Sequence, residues 1–191
     1  MTLIPTASQT VGPFFNLALT NKRSLGTLAR EGAEGVRIRL GFRVLDGDGA
    51  PTPGDSMIEL WQADARGRYA HALDPRAGEA DPNFYGFGRL ETNAEGECVF
   101  ETVKPGHVAD GRGGMQAPHI NVAVFARGLL RQLYTRVYFE GEPANAQDPV
   151  LVLVPEDRRV TLLARPVAVQ PNEWFIQIRL QGEAETVFFD V

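Results

Sequence analysis

The feature that most constrains this chain is a two-residue alternation of apolar and polar side chains, clearest at residues 36–45. There Val36, Ile38, Leu40, Phe42 and Val44 fall on one face, and Arg37, Arg39, Gly41 and Arg43 on the other. Only an extended strand places alternate side chains on opposite faces. The run stops at Asp46-Gly47-Asp48-Gly49, residues that tolerate positive φ and so make a turn. A second run, 56–63, sets Ile58, Leu60 and Gln62 against Met57, Glu59 and Trp61. Further strands are expected at 97–103, 120–126, 132–139, 174–181 and 186–190, several of them separated by Gly or Pro turns. The one helical signal is 155–164, which opens with proline and two acids. Many strands and little helix predict an all-β fold, a β-sandwich core of antiparallel strands.

Residues 64–88 and 104–118 break the alternation and predict long loops, which in a compact domain are usually functional. Residues 1–35 are irregular too, and Pro5, Gly12 and Pro13 predict an extended arm. The pair Phe14-Phe15 favours docking of that arm over fraying. A length of 191 residues predicts one domain over 1–191. The net charge of −5, with no basic block, argues against a nucleic-acid partner. No stretch approaches the ~20 apolar residues of a membrane span, and residues 1–10 lack the basic start and apolar centre of a secretion signal. Cys98 is the single cysteine, so neither an intrachain disulfide nor a thiolate cluster can form. A cytoplasmic location suits these properties.

Three histidines, His71, His107 and His119, are the obvious candidates for chemistry. No Gly-x-Ser-x-Gly elbow, P-loop or His-Glu-x-x-His is present, which weakens a hydrolase triad. An acid pair drawn from residues such as Glu59 and Asp64 stays open. His119 is the best placed of the three. Alternation puts His119, Asn121, Ala123, Phe125 and Arg127 on one face and Ile120, Val122, Val124 and Ala126 on the core side. A face with His, Asn and Arg suits solvated surface. It is also how a strand presents two metal ligands at i and i+2, although Asn121 is a poor transition-metal ligand.

Five segments, read together, resemble the intradiol ring-cleavage dioxygenases. They are Ile58-Glu-Leu-Trp-Gln-Ala-Asp-Ala-Arg-Gly-Arg-Tyr69, Asp81-Pro-Asn-Phe-Tyr-Gly-Phe-Gly-Arg89, Thr102-Val-Lys-Pro-Gly106, Ala117-Pro-His-Ile-Asn121 and Val137-Tyr-Phe-Glu-Gly-Glu142. Their order and spacing match the family across most of residues 10–142. Single-chain catechol-cleaving members carry an additional helical N-terminal region. The resemblance therefore points to the two-chain members that cleave protocatechuate (3,4-dihydroxybenzoate).

In that family two tyrosines and two histidines of a β chain hold Fe(III). Here Tyr69 matches the first tyrosine and His119 the first histidine, whereas His107 and Asn121 stand where the other two ligands belong. Gln116 replaces an arginine of the iron site. The resemblance is thus to the α chain, with Tyr69, His107, His119 and Asn121 as vestigial metal-site positions and Fe(III) bound by the partner β chain. It implies that Thr10, Gly12 and Pro13 wall the partner's substrate cavity and that Arg127 pairs with the substrate carboxylate. Residues 1–35 would then pack on the partner chain. The implied function is to complete the β subunit's pocket for cleavage of 3,4-dihydroxybenzoate by O2 to 3-carboxy-cis,cis-muconate, in a higher hetero-oligomer of αβ protomers. Two alternatives stand beside it: a self-sufficient Fe(III) dioxygenase using Tyr69, His107 and His119, and a non-catalytic β-sandwich assembly module.

Overall fold

The alternating run at 36–45 becomes strand β1 (Arg37–Leu45), whose apolar residues Ile38, Leu40, Phe42 and Val44 are all buried. In the computed structural model, which describes residues 18–20, 25–52 and 56–190, nine further strands follow. They are β2 (Ser56–Gln62), β3 (Phe87–Glu91), β4 (Glu97–Val103), β5 (Val108–Ala109), β6 (Met115–Gln116), β7 (His119–Ala126), β8 (Leu133–Phe139), β9 (Leu163–Pro166) and β10 (Glu173–Arg179). All but the β5–β6 pair hydrogen-bond in the order β3-β2-β7-β8-β9-β10-β1-β4.

Short β9 joins the two halves of this sheet. It pairs with β8 through Leu163 and Ala164, and with β10 through Arg165 and Pro166. The halves β3-β2-β7-β8 and β10-β1-β4 share one core, in which Ile58, Leu60, Val122 and Val124 of the first meet Leu40, Phe42, Phe100 and Ile178 of the second. Phe42 and Phe100 pack edge to face with centroids 5.7 Å apart. Each such side chain contributes roughly 2 kcal/mol through loss of water contact. The expected all-β sandwich is therefore what forms, with one difference. The β1–β10 and β8–β9 pairs are parallel. Cys98 lies in this core, and burial pushes its thiol up to about 12.

Local differences from the expected elements have physical causes. The helical signal at 155–164 yields a 3-10 helix, Glu156–Leu162, that ends where β9 begins. The expected strand at 186–190 is reduced to one bridge between Phe189 and Tyr134. Strand β3 falls where glycines predicted loop. At Gly88 a Cβ would stand 2.7 Å from Leu28 Cδ1, so the glycine reflects close packing rather than a turn. That packing also corrects part of the expected arm. Leu25 bridges Arg89 of β3, Thr27 bridges Glu101 of β4, and Leu28 is buried. Residues 25–29 thus lie on this chain's own sheet, against the two strands that would otherwise present free edges.

Candidate functional site

The site is built where β7 begins. In register, His119 faces Tyr138 and Asn121 faces Arg136 across β8, while Asn121 faces Trp61 across β2. Alternation buries Ile120, Val122, Val124 and Ala126 in the core, as expected, and turns His119 and Asn121 to the other side. The 64–88 loop brings Tyr69 over this face. Its ring stacks on Trp61 at 5.6 Å and 19°, and the Asn121 amide donates to the Tyr69 hydroxyl at 3.3 Å.

The result is a cavity of about 630 Å³ whose lining includes Trp61, Tyr69, Gln116, His119, Asn121 and Arg136. His119 is 1% exposed. Its Nδ1 lies 2.8 Å from the Ala117 carbonyl, which can only accept, so Nδ1 carries the proton and Nε2 keeps the lone pair. Burial, reinforced by the Arg136 charge, lowers the imidazole to about 4, so it is neutral at pH 7. Burial likewise raises the Tyr69 hydroxyl above the ordinary tyrosine range and keeps it protonated.

Beneath the cavity lies a buried carboxylate. Asp148 accepts from the Ala117 amide at 2.8 Å, the Leu151 amide at 2.8 Å, the Val150 amide at 3.0 Å and the Tyr138 hydroxyl at 2.9 Å. By holding the Ala117 amide it fixes the residue whose carbonyl in turn orients His119. Arg136 reaches Gln116 Oε1 at 2.8 Å and the Tyr138 hydroxyl at 3.5 Å. Neither Arg136 nor Asp148 was singled out in the sequence. The available signal was the alternation of β8, which puts Arg136 and Tyr138 on the face opposite Val137.

Of the four positions matched to the family's metal ligands, Tyr69, His119 and Asn121 come together and His107 does not. His107 is exposed and lies outside the cavity lining. The cause is the close approach of two loops. Gly67, at φ 73°, lies so near that a Cβ there would sit 1.7 Å from the His107 carbonyl oxygen, and the Gly106 amide donates to the Asp64 carbonyl at 2.9 Å. With the backbone so held, the neighbouring Val108 is buried and His107 is left outside. His71 sits at the rim, edge-on to Trp61. The acid pair also dissolves. Glu59 accepts from Arg89 at 2.7 Å, and Asp64 is a buried loop anchor that accepts from the amides of Arg66, Arg68 and Asp81.

These residues do not fit Fe(III). At the positions matched to the ligands the cavity offers the protonated phenol of Tyr69, the imidazole of His119 and the carboxamide of Asn121. His71 lies at the rim, the Asp74 and Asp110 carboxylates of the lining are taken up by backbone amides, and the guanidinium of Arg136 enters the same space. No cluster of three or more His, Cys, Asp or Glu able to hold a metal occurs among the described residues. The ligand set needed for a self-sufficient iron centre, Tyr69 with His107 and His119, is not assembled.

Arg127 follows the last residue of β7, on the same face as His119 but eight residues on, roughly 26 Å along an extended strand. It is exposed and does not line this chain's cavity. Thr10, Gly12 and Pro13 lie outside the described residues.

A dioxygenase family profile matches residues 10–182. The chain is 44% identical to the protocatechuate 3,4-dioxygenase alpha chain of Burkholderia cepacia, covering 100% of this chain and 99% of that one. It is also 40% identical to the protocatechuate 3,4-dioxygenase beta chain of the same organism, over 69% of this chain and 56% of that one. Among solved structures, the dioxygenase domain of a carbohydrate-binding fusion from Streptomyces sp. SirexAA-E superposes with a TM-score of 0.62 at 26% identity, covering 94% of this chain and 99% of that one. The chain belongs to the intradiol ring-cleavage dioxygenase family, and within it to the branch of protocatechuate 3,4-dioxygenase alpha chains.

Proposed function

We propose that this chain is the subunit of a protocatechuate 3,4-dioxygenase that does not bind iron, and that it completes the substrate pocket of an iron-bearing β subunit. The assembled enzyme cleaves the bond between the two hydroxyl-bearing carbons of 3,4-dihydroxybenzoate. Both atoms of O2 enter the product, 3-carboxy-cis,cis-muconate. The observation that carries this assignment is the failed ligand set: Tyr69 and His119 are present, Asn121 replaces a ligand, His107 faces away, and Arg136 occupies the cavity. A chain so built supports iron chemistry only through a partner. Similarity to both an alpha and a beta chain agrees with a duplicated fold in which one copy kept the metal.

Arg127 supplies a guanidinium at the end of β7 remote from this chain's own cavity, which suits a role in the partner's pocket. A planar guanidinium can pair with the substrate carboxylate through two parallel hydrogen bonds. Thr10, Gly12 and Pro13 are assigned to the wall of the same pocket on the family resemblance, and the first residues of the chain to packing on the partner. The complex acts in the cytoplasm. No helix among the described residues is long and apolar enough to cross a membrane.

Co-expression with and without a β chain tests the assignment. The expected result is a stable complex that carries iron and cleaves protocatechuate, while this chain alone does neither. Ring cleavage by the lone chain with added Fe(III) would replace this assignment with the self-sufficient enzyme. Failure to associate with a β chain would favour an assembly module.

A further inference from the structure

The cavity that has lost iron binding is not inert. Of the two arginines that line it, Arg76 pairs with Asp74 and donates to the Gly67 carbonyl, whereas Arg136 makes both of its hydrogen bonds through Nη1 and has no ion-pair partner among the described residues. The acids nearby are engaged elsewhere. Asp148 is saturated by three amides and the Tyr138 hydroxyl. Asp74 at the rim accepts from the amides of Tyr69 and Arg76, and Asp110 from those of Arg112 and Gly114. Nη2 and Nε of Arg136 are left with donors for a ligand in a half-buried setting, where a charged hydrogen bond is stronger than in water.

Three further groups surround that cation. The stacked rings of Trp61 and Tyr69 form a flat wall. The Tyr69 hydroxyl accepts from Asn121, so its own hydrogen remains to be donated. His119, with Nδ1 donating to Ala117, offers Nε2 as an acceptor. A flat wall, a guanidinium fork, one hydroxyl donor and one nitrogen acceptor match a planar ring bearing a carboxylate and a hydroxyl. We propose that this cavity is a metal-independent binding site for a small hydroxylated aromatic carboxylate. Arg136 holds the carboxylate, Trp61 and Tyr69 hold the ring, and His119 Nε2 accepts from the ring hydroxyl. The guanidinium that disfavours a metal cation thus selects an anion. The site stands on this chain's own residues and is separate from any pocket that Arg127 serves.

Calorimetric titration of the full chain with 4-hydroxybenzoate, in the presence of a chelator, tests the site, with Trp61 fluorescence as a second readout. Saturable one-to-one binding is expected, weakened about tenfold or more by Arg136→Gln and by replacing the ligand with uncharged 4-hydroxybenzamide. Tyr69→Phe should weaken binding by a smaller factor and leave the fold intact. Inorganic phosphate should compete poorly, because it has no ring for the wall. Equal competition by phosphate, or undiminished binding by Arg136→Gln, would overturn the proposal, as would absence of binding to the folded chain. If the chain requires its β partner to fold, the αβ complex is titrated instead. Two sites per αβ pair are then expected, one seen in the iron absorbance and one silent, and Arg136→Gln should remove only the silent one. A single iron-coupled site would sink this proposal while leaving the assignment of the chain to the enzyme intact.

Discussion

Asn121 on β7 and Arg136 on β8 face one another directly across the antiparallel ladder, and between them they define what the cavity can hold. Asn121 donates to the Trp61 carbonyl and to the Tyr69 hydroxyl, both at 3.3 Å. It thereby uses as a hydrogen-bond acceptor the phenol that a metal would need as a ligand. Arg136 adds a positive charge to the same cavity. Each residue alone weakens a metal site, and together they replace it with a polar network.

The first consequence concerns iron. Adding Fe(III) to the chain alone should produce no visible tyrosinate-to-iron absorption. Asn121→His should not restore it either, because His107 still faces outward and Arg136 still repels the cation. Ultraviolet–visible titration of both proteins checks this, and a purple or red colour in either would show that the ligand set is more complete than the geometry allows.

The second concerns acid stability. His119 is held at about 4 in the folded chain against an ordinary value of 6.5. The unfolded chain therefore takes up a proton below pH 6.5 that the folded chain refuses until about pH 4. The stability linked to His119 is complete above pH 6.5 and declines as pH falls towards 4, at about 1.4 kcal/mol per unit and roughly 3 kcal/mol in all. Denaturant melts of wild type and His119→Gln from pH 7.5 to 4 measure the difference. The variant should show a shallower decline across this window, and parallel curves would refute the linkage.

The third concerns the loop contact that turns His107 away. At Gly67 the backbone is left-handed and a Cβ would strike the His107 carbonyl, so Gly67→Ala meets both torsional strain and a backbone clash. The expected cost is about 3 kcal/mol, a fall in Tm of roughly 6–12 °C for a chain of this size. Calorimetry on the variant decides this. Gly111→Ala is the control, since it shares a positive φ but has nothing within 4 Å of its Cβ.

How much of this was legible in sequence follows from the range of each interaction. Period-two alternation is local, and it located β1, β2, β4, β7, β8 and β10 to within a few residues. It missed β3, whose Gly88 is explained by Leu28, sixty residues earlier in the chain. It also missed β9, a four-residue strand ending in proline. Ligand matching placed Tyr69, His119 and Asn121 together, as the cavity does. It could not foresee that His107 would point outward, because that depends on Gly67 meeting its backbone forty residues away. Arg136 and Asp148 escaped notice for the same reason. An arginine on an alternating strand and an aspartate before a proline acquire meaning only once β7 and β8 are paired and the 3-10 turns after β8 bring Asp148 under Ala117.

Arg127 and Arg136 stand at different places in the fold. Arg136 belongs to this chain's own cavity, whereas Arg127 lies past the other end of β7, roughly 26 Å along the strand from His119. If Arg127 pairs with the substrate carboxylate in the partner's pocket, Arg127→Ala in the αβ complex should raise KM for protocatechuate about tenfold or more, the worth of one charged hydrogen-bonded pair. Plain catechol lacks the carboxylate, so its KM should change little. Steady-state kinetics on the two substrates measures the ratio. A similar rise for both would assign Arg127 to the subunit interface, since loss of packing there would disturb the pocket whatever the ring carries.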